Sequence, residues 1–310
     1  MAANATSKTA LFANKLPGGA LVITDQSFTT GNRFFVHSGT GTNSLGHGRN
    51  PESPFASIAY AFDSGLLTAN NGDIVYVMPG HAETVSAAAG IDADTAGVTV
   101  KGIGSGTSQP KITFDTIITA DLDVDAANIT FENIHFSANF ADLTAPIDVN
   151  STDCTIRNCR FTETAVNMNA VIWILGGSTT TSSRLTVEGC HVIDKDAANT
   201  HFIHMAGTDD GTIIRNNVMI GDWGTGAIAS TGSVTNITVS HNLIQNAATD
   251  ADSGIKLAAS STGVVAYNSI GIALAGDATT GVSCGSGVAL IQNFVVDTGD
   301  RQGVLDPAGT

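Results

Sequence analysis

The sequence predicts an all-β fold, a single-stranded right-handed parallel β-helix, and three observations carry that prediction. A pattern of about 25 residues recurs from about residue 98 onward. Each repeat holds short apolar strands with strand alternation. Asparagine occupies one inward position in four successive repeats. Eight-residue blocks align without gaps as Ile129–Phe136, then from Cys154, Leu185, Thr212, Ile237, Gly263 and Val288, with steps of 25, 31, 27, 25, 26 and 25. So regular a step means one supersecondary unit per coil.

Residues 1–32 lie outside the repeat. They mix Ala, Thr, Ser and Gly around Pro17-Gly18-Gly19, with one strand-like run at Ala20–Ile23, and read as an extended N-terminal arm. The β-helix is expected over 33–310. Ser53-Pro54 predicts the start of a helix over about 54–66, with Ser53 as cap, Pro54 in the first turn, and Phe55, Ile58, Ala59 and Phe62 on one face. Such a helix would cover the otherwise exposed first coil. Two early rungs follow, Asp73–Gly80 and Val98–Ile103.

Within each block, positions one, three and eight are mostly apolar, and position six is an inward bend that reads Ile134, Cys159, Cys190, Asn217, Asn242, Asn268, Asn293. Stacked asparagines can satisfy one another's amides, which are costly when buried without partners. Position four alternates in charge: Glu132, Arg157, Glu188, Arg215. Position seven turns from polar to apolar: His135, Arg160, His191, Val218, Leu243, Ser269, Phe294. Exposed Val218, Leu243, Ile291 and Phe294 therefore predict an interface. A further apolar strand about 18 residues after each block start completes the coil. Eight or nine rungs at about 4.8 Å make a rod roughly 40 Å long. No helix follows Val304-Leu305, so the last coil is expected to be uncapped and to need a partner.

Composition narrows the function. With 28 acidic and 13 basic residues the net charge is −15, which opposes the clustered Lys and Arg of a nucleic-acid surface. No apolar stretch approaches the length of a membrane span, and no basic-then-apolar leader opens the chain. The product is expected to stay where it is made. Aromatic content of 6% predicts an aliphatic core. Cys154, Cys159, Cys190 and Cys284 fall at inward positions; Cys159 and Cys190 stack and can form a bridge or remain buried thiols, and burial favours thiols. No cofactor or metal is expected.

Chemistry is best sought on the outward column of the later strands, which reads Asp123, Asp148, Trp173, His204, Ala229, Lys256, Ser283. Asp123 and Asp148 would stand about 5 Å apart, the carboxyl spacing of retaining glycoside hydrolysis. Trp173 would stack on a sugar and His204 would shuttle a proton. The bland alternative is an acidic solenoid with polar outward positions. Asp121, Asp123, Asp125 and Glu132 have calcium-loop spacing, but Ala126 stands where that loop needs glycine, and Leu122 and Val124 alternate like a buried strand. Gly46-His47-Gly48 is similar to the histidine turn of polygalacturonases; here it precedes the helix, with Asp209-Asp210 far behind it, so the likeness implies no site.

The stretches Phe34–Gly39, Asn50–Phe62 and Asn70–Thr84 resemble a group of β-helical proteins encoded among tailed-phage head genes. The coils after them are similar to the wider pectin-lyase-like superfamily. The first resemblance implies a structural virion protein, a decoration or cement protein on the capsid exterior, made in the host cytoplasm. Its partners would be the major capsid protein, other virion subunits and copies of itself in a dimer or trimer, with no nucleic acid and no membrane. The second implies a polysaccharide-binding or polysaccharide-degrading spike as the alternative, although that superfamily's catalytic motifs are not matched.

Overall fold

The computed structural model describes residues 29, 31–177, 180–194, 196–249, 253–273, 281–296 and the strand Val304–Leu305. The expected arm lies almost wholly outside them. Short strands stack in register into three long sheets, and every pairing within the coils is parallel. The first sheet runs from Arg33–Val36 to Val288–Ile291 in ten strands, and the second from Ala82–Val85 to Asn293–Val296. The third, of eight, runs from Ile91–Asp92 to Val282–Ser283. The chain visits the sheets in turn, so successive strands of one sheet are a whole coil apart. This is an all-β parallel solenoid.

Each eight-residue block supplies one strand to the first sheet and one to the second, joined by a sharp bend. Position five makes that bend in left-handed backbone: Asn133, Asn158, Gly189, Asn216, His241, Tyr267 and Gln292 have φ between 47° and 64°. Asn and Gly accept that region at least cost, which explains the column's composition in the earlier coils. The bend aims position six inward, and Ile134, Cys159, Cys190 and the four asparagines are all buried. Asn217 Nδ2 donates to Asn242 Oδ1, Asn242 Nδ2 to Asn268 Oδ1, and Asn268 Nδ2 to Asn293 Oδ1, at 2.9–3.0 Å. The backbone N–H groups of Asn217, Asn242 and Asn268 donate to the same oxygens. Each side chain also donates to a carbonyl one coil back: those of Val187, Ile214, Val239 and Val265. Cys154, Cys159, Cys190 and Cys284 are all free thiols, the last only half-buried.

On the outer face of the first sheet Arg157 bonds Glu132 at 2.9 Å, Lys101 approaches Glu132 at 3.5 Å, and Arg215 bonds Glu188 at 2.7 Å. Inside, the core is not simply aliphatic. The few aromatics concentrate there: Phe114, Phe136 and Phe161 stack at centroid distances of 6.3 and 5.2 Å, and Phe202 and Trp173 meet Phe161 edge-on at 5.0 and 5.4 Å. A low aromatic fraction thus says little about where the rings go.

The helix is shorter than expected and starts later. Helix α1 spans Ile58–Asp63, and Ser57, not Ser53, caps it by accepting from the Tyr60 N–H at 3.1 Å. The Glu83 carboxylate accepts from the next two orphan donors, Ile58 and Ala59, at 2.7 and 3.2 Å. Residues 53–56 cannot be helical because Phe55 pairs alongside the first strand, donating to the Phe35 carbonyl while its own carbonyl accepts from His37. Gly48 (φ 86°) permits this packing, since a Cβ there would stand 2.2 Å from the Phe55 ring. The far end also differs from expectation. Val304–Leu305 folds back antiparallel on Asn293–Phe294, so the second sheet's last strand does not end in an open edge.

Candidate functional site

Cross-strand pairing fixes the outward column of the third sheet as Asp92, Asp123, Asp148, Leu175, His204, Ala229, Lys256 and Ser283. Asp123 and Asp148 are directly opposed in neighbouring coils, one strand spacing apart. Asp121 and Asp125 lie two residues either side of Asp123, so one acidic face spans several coils. Burial, then the charge on Asp125, push the Asp123 carboxyl up to about 6, against the pull of the hydrogen bond from Asn150 Nδ2 at 3.2 Å. Burial raises Asp121 to about 6 as well, despite the bond from the Ala89 N–H. Asp92 is raised by burial and then by Asp94.

Trp173 is not in this column. It is fully buried, its ring against Phe161 and its indole N–H donating to Asp194 Oδ1 at 2.7 Å. The segment leading to this strand is two residues longer than in the coil before, so Ile174 and Gly176 pair with Ile147 and Val149, and Leu175 takes the outward place. Trp173 therefore does not stand beside the aspartate pair to bind a sugar face. His204 is in the column but two coils beyond Asp148, about 10 Å away. Its ring stacks on His201 at 4.7 Å, its Nε2 meets the Thr231 hydroxyl at 3.1 Å, and burial lowers its pKa. The four predicted residues thus reduce to one acid pair. Two juxtaposed carboxylates, one of them protonated up to about pH 6, have the makings of an acid and a nucleophile. Among the described residues no group of three or more His, Cys, Asp or Glu is placed to hold a metal, and no helix is long and apolar enough to cross a membrane. Glu132, the calcium-loop candidate, is held by Lys101 and Arg157.

Sequence reasoning missed a buried carboxylate. Asp194 accepts from both indoles, Trp173 and Trp223, at 2.7 and 2.8 Å. Burial, then the nearby Glu163, raise it to about 8 in spite of those two bonds. The chain's two tryptophans, Trp173 and Trp223, on either side of Asp194 in the sequence were the available signal.

A second surface lies on the last coils. Val218, Leu243, Ser269 and Phe294 form one outward column of the second sheet, and Ile220, Gln245, Gly271 and Val296 the next. Phe294, Val296, Ile220 and Leu243 are 51%, 48%, 40% and 39% exposed, whereas Val218 is half-buried. Ile291, at 41%, ends a strand of the first sheet round the corner. Asp194 and Asp222 border a cleft of about 810 Å³ in this face.

Compared with models of protein families the sequence matches none. No curated protein matches it. Solved structures similar to this chain include a rhamnogalacturonan lyase, 9% identical, covering 78% of this chain and 74% of that one with a TM-score of 0.43. They also include the GH136 lacto-N-biosidase from Eubacterium ramulus, 10% identical over 85% of this chain and 67% of that one, TM-score 0.36. ORF18 of Geobacillus virus E2 is 12% identical over 77% of this chain and 57% of that one, TM-score 0.34.

Proposed function

We propose that the chain is a structural protein of a tailed-phage virion, a decoration or cement protein that stabilises the capsid shell by adhesion. The rod would be a right-handed solenoid with α1 closing its first coil and residues 1–32 extending as an arm against the capsid or a sister subunit. One observation carries this reading. The exposed Ile220, Leu243, Phe294 and Val296 make an apolar strip on an otherwise acidic chain, and strips of that kind mark contacts. The resemblance of Phe34–Gly39, Asn50–Phe62 and Asn70–Thr84 to head-gene β-helices supports the choice of partner. Binding to the assembled shell adds to its stability by mass action. The test is to add purified protein to capsids lacking it. Saturable co-sedimentation and a higher disruption temperature are expected, both lost on deleting residues 1–30. Full occupancy by the truncated chain would remove the arm from this role.

The opposed Asp123 and Asp148 favour a second reading, cleavage of a polysaccharide by a spike. Under the adhesive reading purified protein releases neither reducing ends nor unsaturated products from acidic or neutral polysaccharides. Release by the wild type and not by Asp148→Asn would overturn it.

A further inference from the structure

We propose that residues 8–16 of a second copy of this chain occupy the cleft on the last coils. The cleft exists because one rung is recessed. In Ser269–Ile272 the two outward side chains are only a hydroxymethyl and a hydrogen, while the rungs on either side carry Leu243 with Gln245 and Phe294 with Val296. Gly271 lets the Gln245 side chain lie over this rung, since a Cβ would stand 2.5 Å from the Gln245 side-chain oxygen and push it aside. The result is a trough of about 810 Å³ across the sheet, lined by Ile220, Gln245, Gly271, Phe294 and Val296, with Asp194 and Asp222 on its border.

Residues 8–16 have the complementary chemistry. They read Lys-Thr-Ala-Leu-Phe-Ala-Asn-Lys-Leu, and Lys8 and Lys15 are the only charged side chains before Asp25. Every acidic residue of the chain lies beyond them, so this is a basic segment facing a strongly acidic body. In extended form Ala10, Phe12 and Leu16 share one face, which suits a trough lined by Ile220, Phe294 and Val296.

Reach selects the second copy. The chain is held at the first coil, where the Thr29 hydroxyl donates to the Gly72 carbonyl and the Asn32 N–H donates to Asp73 at 2.6 Å. The recessed rung is eight strands further along, about 38 Å. The 13 residues from Leu16 to Thr29 span at most about 45 Å when fully stretched. A copy's own trough is therefore reached only by a taut chain on a straight path. A neighbour lying antiparallel brings its trough beside the root of the segment, and the exchange is reciprocal, so a twofold dimer closes on itself. This inference concerns self-association and does not depend on what the assembled protein adheres to.

The test uses the full chain with the photo-crosslinking amino acid p-benzoylphenylalanine in place of Phe12. Irradiation of mixed ¹⁴N and ¹⁵N copies should give covalent dimers whose cross-linked peptides contain Leu243–Asn246 or Asn293–Val296 and join light to heavy copies. Sedimentation equilibrium should show Lys8→Glu with Lys15→Glu, and separately Phe294→Asp, weakening the dimer by about tenfold or more. Val166→Asp, at an exposed apolar residue elsewhere, should leave it unchanged. If Phe294→Asp fails to fold by circular dichroism, the lysine pair decides, because it alters no residue of the solenoid. A monomeric protein, cross-links within one copy only, cross-links outside the trough, or an undiminished dimer in the lysine variant would each overturn the proposal.

Discussion

Asp123 has an aspartate on the coil before it and another on the coil after, because parallel stacking places like positions at like heights. Its carboxyl is raised from 3.8 to about 6 by burial and then by Asp125. The folded chain therefore holds this proton more tightly than the unfolded one. That contribution to stability is full below about pH 4 and is lost as the pH rises through 6. His135 acts in the opposite sense. Burial, then Arg160, lower it from 6.5 to about 4, so its contribution is present above 6.5 and is lost as the pH falls through 4. Replacing Asp123 by Asn removes only the first effect. The urea midpoint of Asp123→Asn should exceed that of the wild type at pH 7, and the difference should vanish by pH 4. Parallel midpoints across that range would mean that solvent already screens the column.

At the scale of the element, the asparagine ladder fixes the bend between the first two sheets and can be tested by removing one rung. Asn242 Oδ1 accepts from both the N–H and the side-chain amide of Asn217, and its own amide donates to Asn268 and to the Ile214 carbonyl. Asn242→Leu fits the space but strands buried donors on one side and an acceptor on the other. The expected cost is about 1–3 kcal/mol in denaturant unfolding, and no loss would contradict the bonding described. The ladder was legible because position six is tied to a bend of constant length, so its spacing repeats. The third sheet was less legible because the segments leading to it vary in length. Two extra residues before Ile172–Gly176 moved Trp173 out of the column to the start of the strand, where its ring is buried against Phe161, and put Leu175 in the outward place. The helix start misled for another reason: Pro54 and Phe55 look like a first turn, yet Phe55 gains more by pairing beside the first strand and burying its ring against Phe34. The trough left almost no mark in the sequence, since it is made by what Ser269 and Gly271 lack.

For the whole molecule, each coil contacts only its neighbours, so stability is a sum over coils and interfaces and need not be even along the rod. The middle coils have the stacked Phe114, Phe136 and Phe161 and the ion pairs from Lys101 to Arg215. They bury Leu122, Ile147 and Ile203 completely, whereas Val282 and Val288 near the other end keep 6% and 7% of their surface. Amide hydrogen exchange should therefore be slowest between about Leu122 and Arg215 and faster from Gly263 onward, as expected where local opening leaves fewer contacts to break. The weaker coils carry Phe294 and Val296, with Leu243 on the coil beside them, so occupation of this surface would protect that end more than the rest. Exchange measured at low and high protein concentration separates the two contributions. Protection of Leu243–Asn246 and Asn293–Val296 should rise with concentration while that of Thr130–Glu132 and Thr155–Arg157 stays constant. A uniform rate along the rod, or a concentration effect spread over all coils, would contradict this division between a rigid middle and an adhesive end.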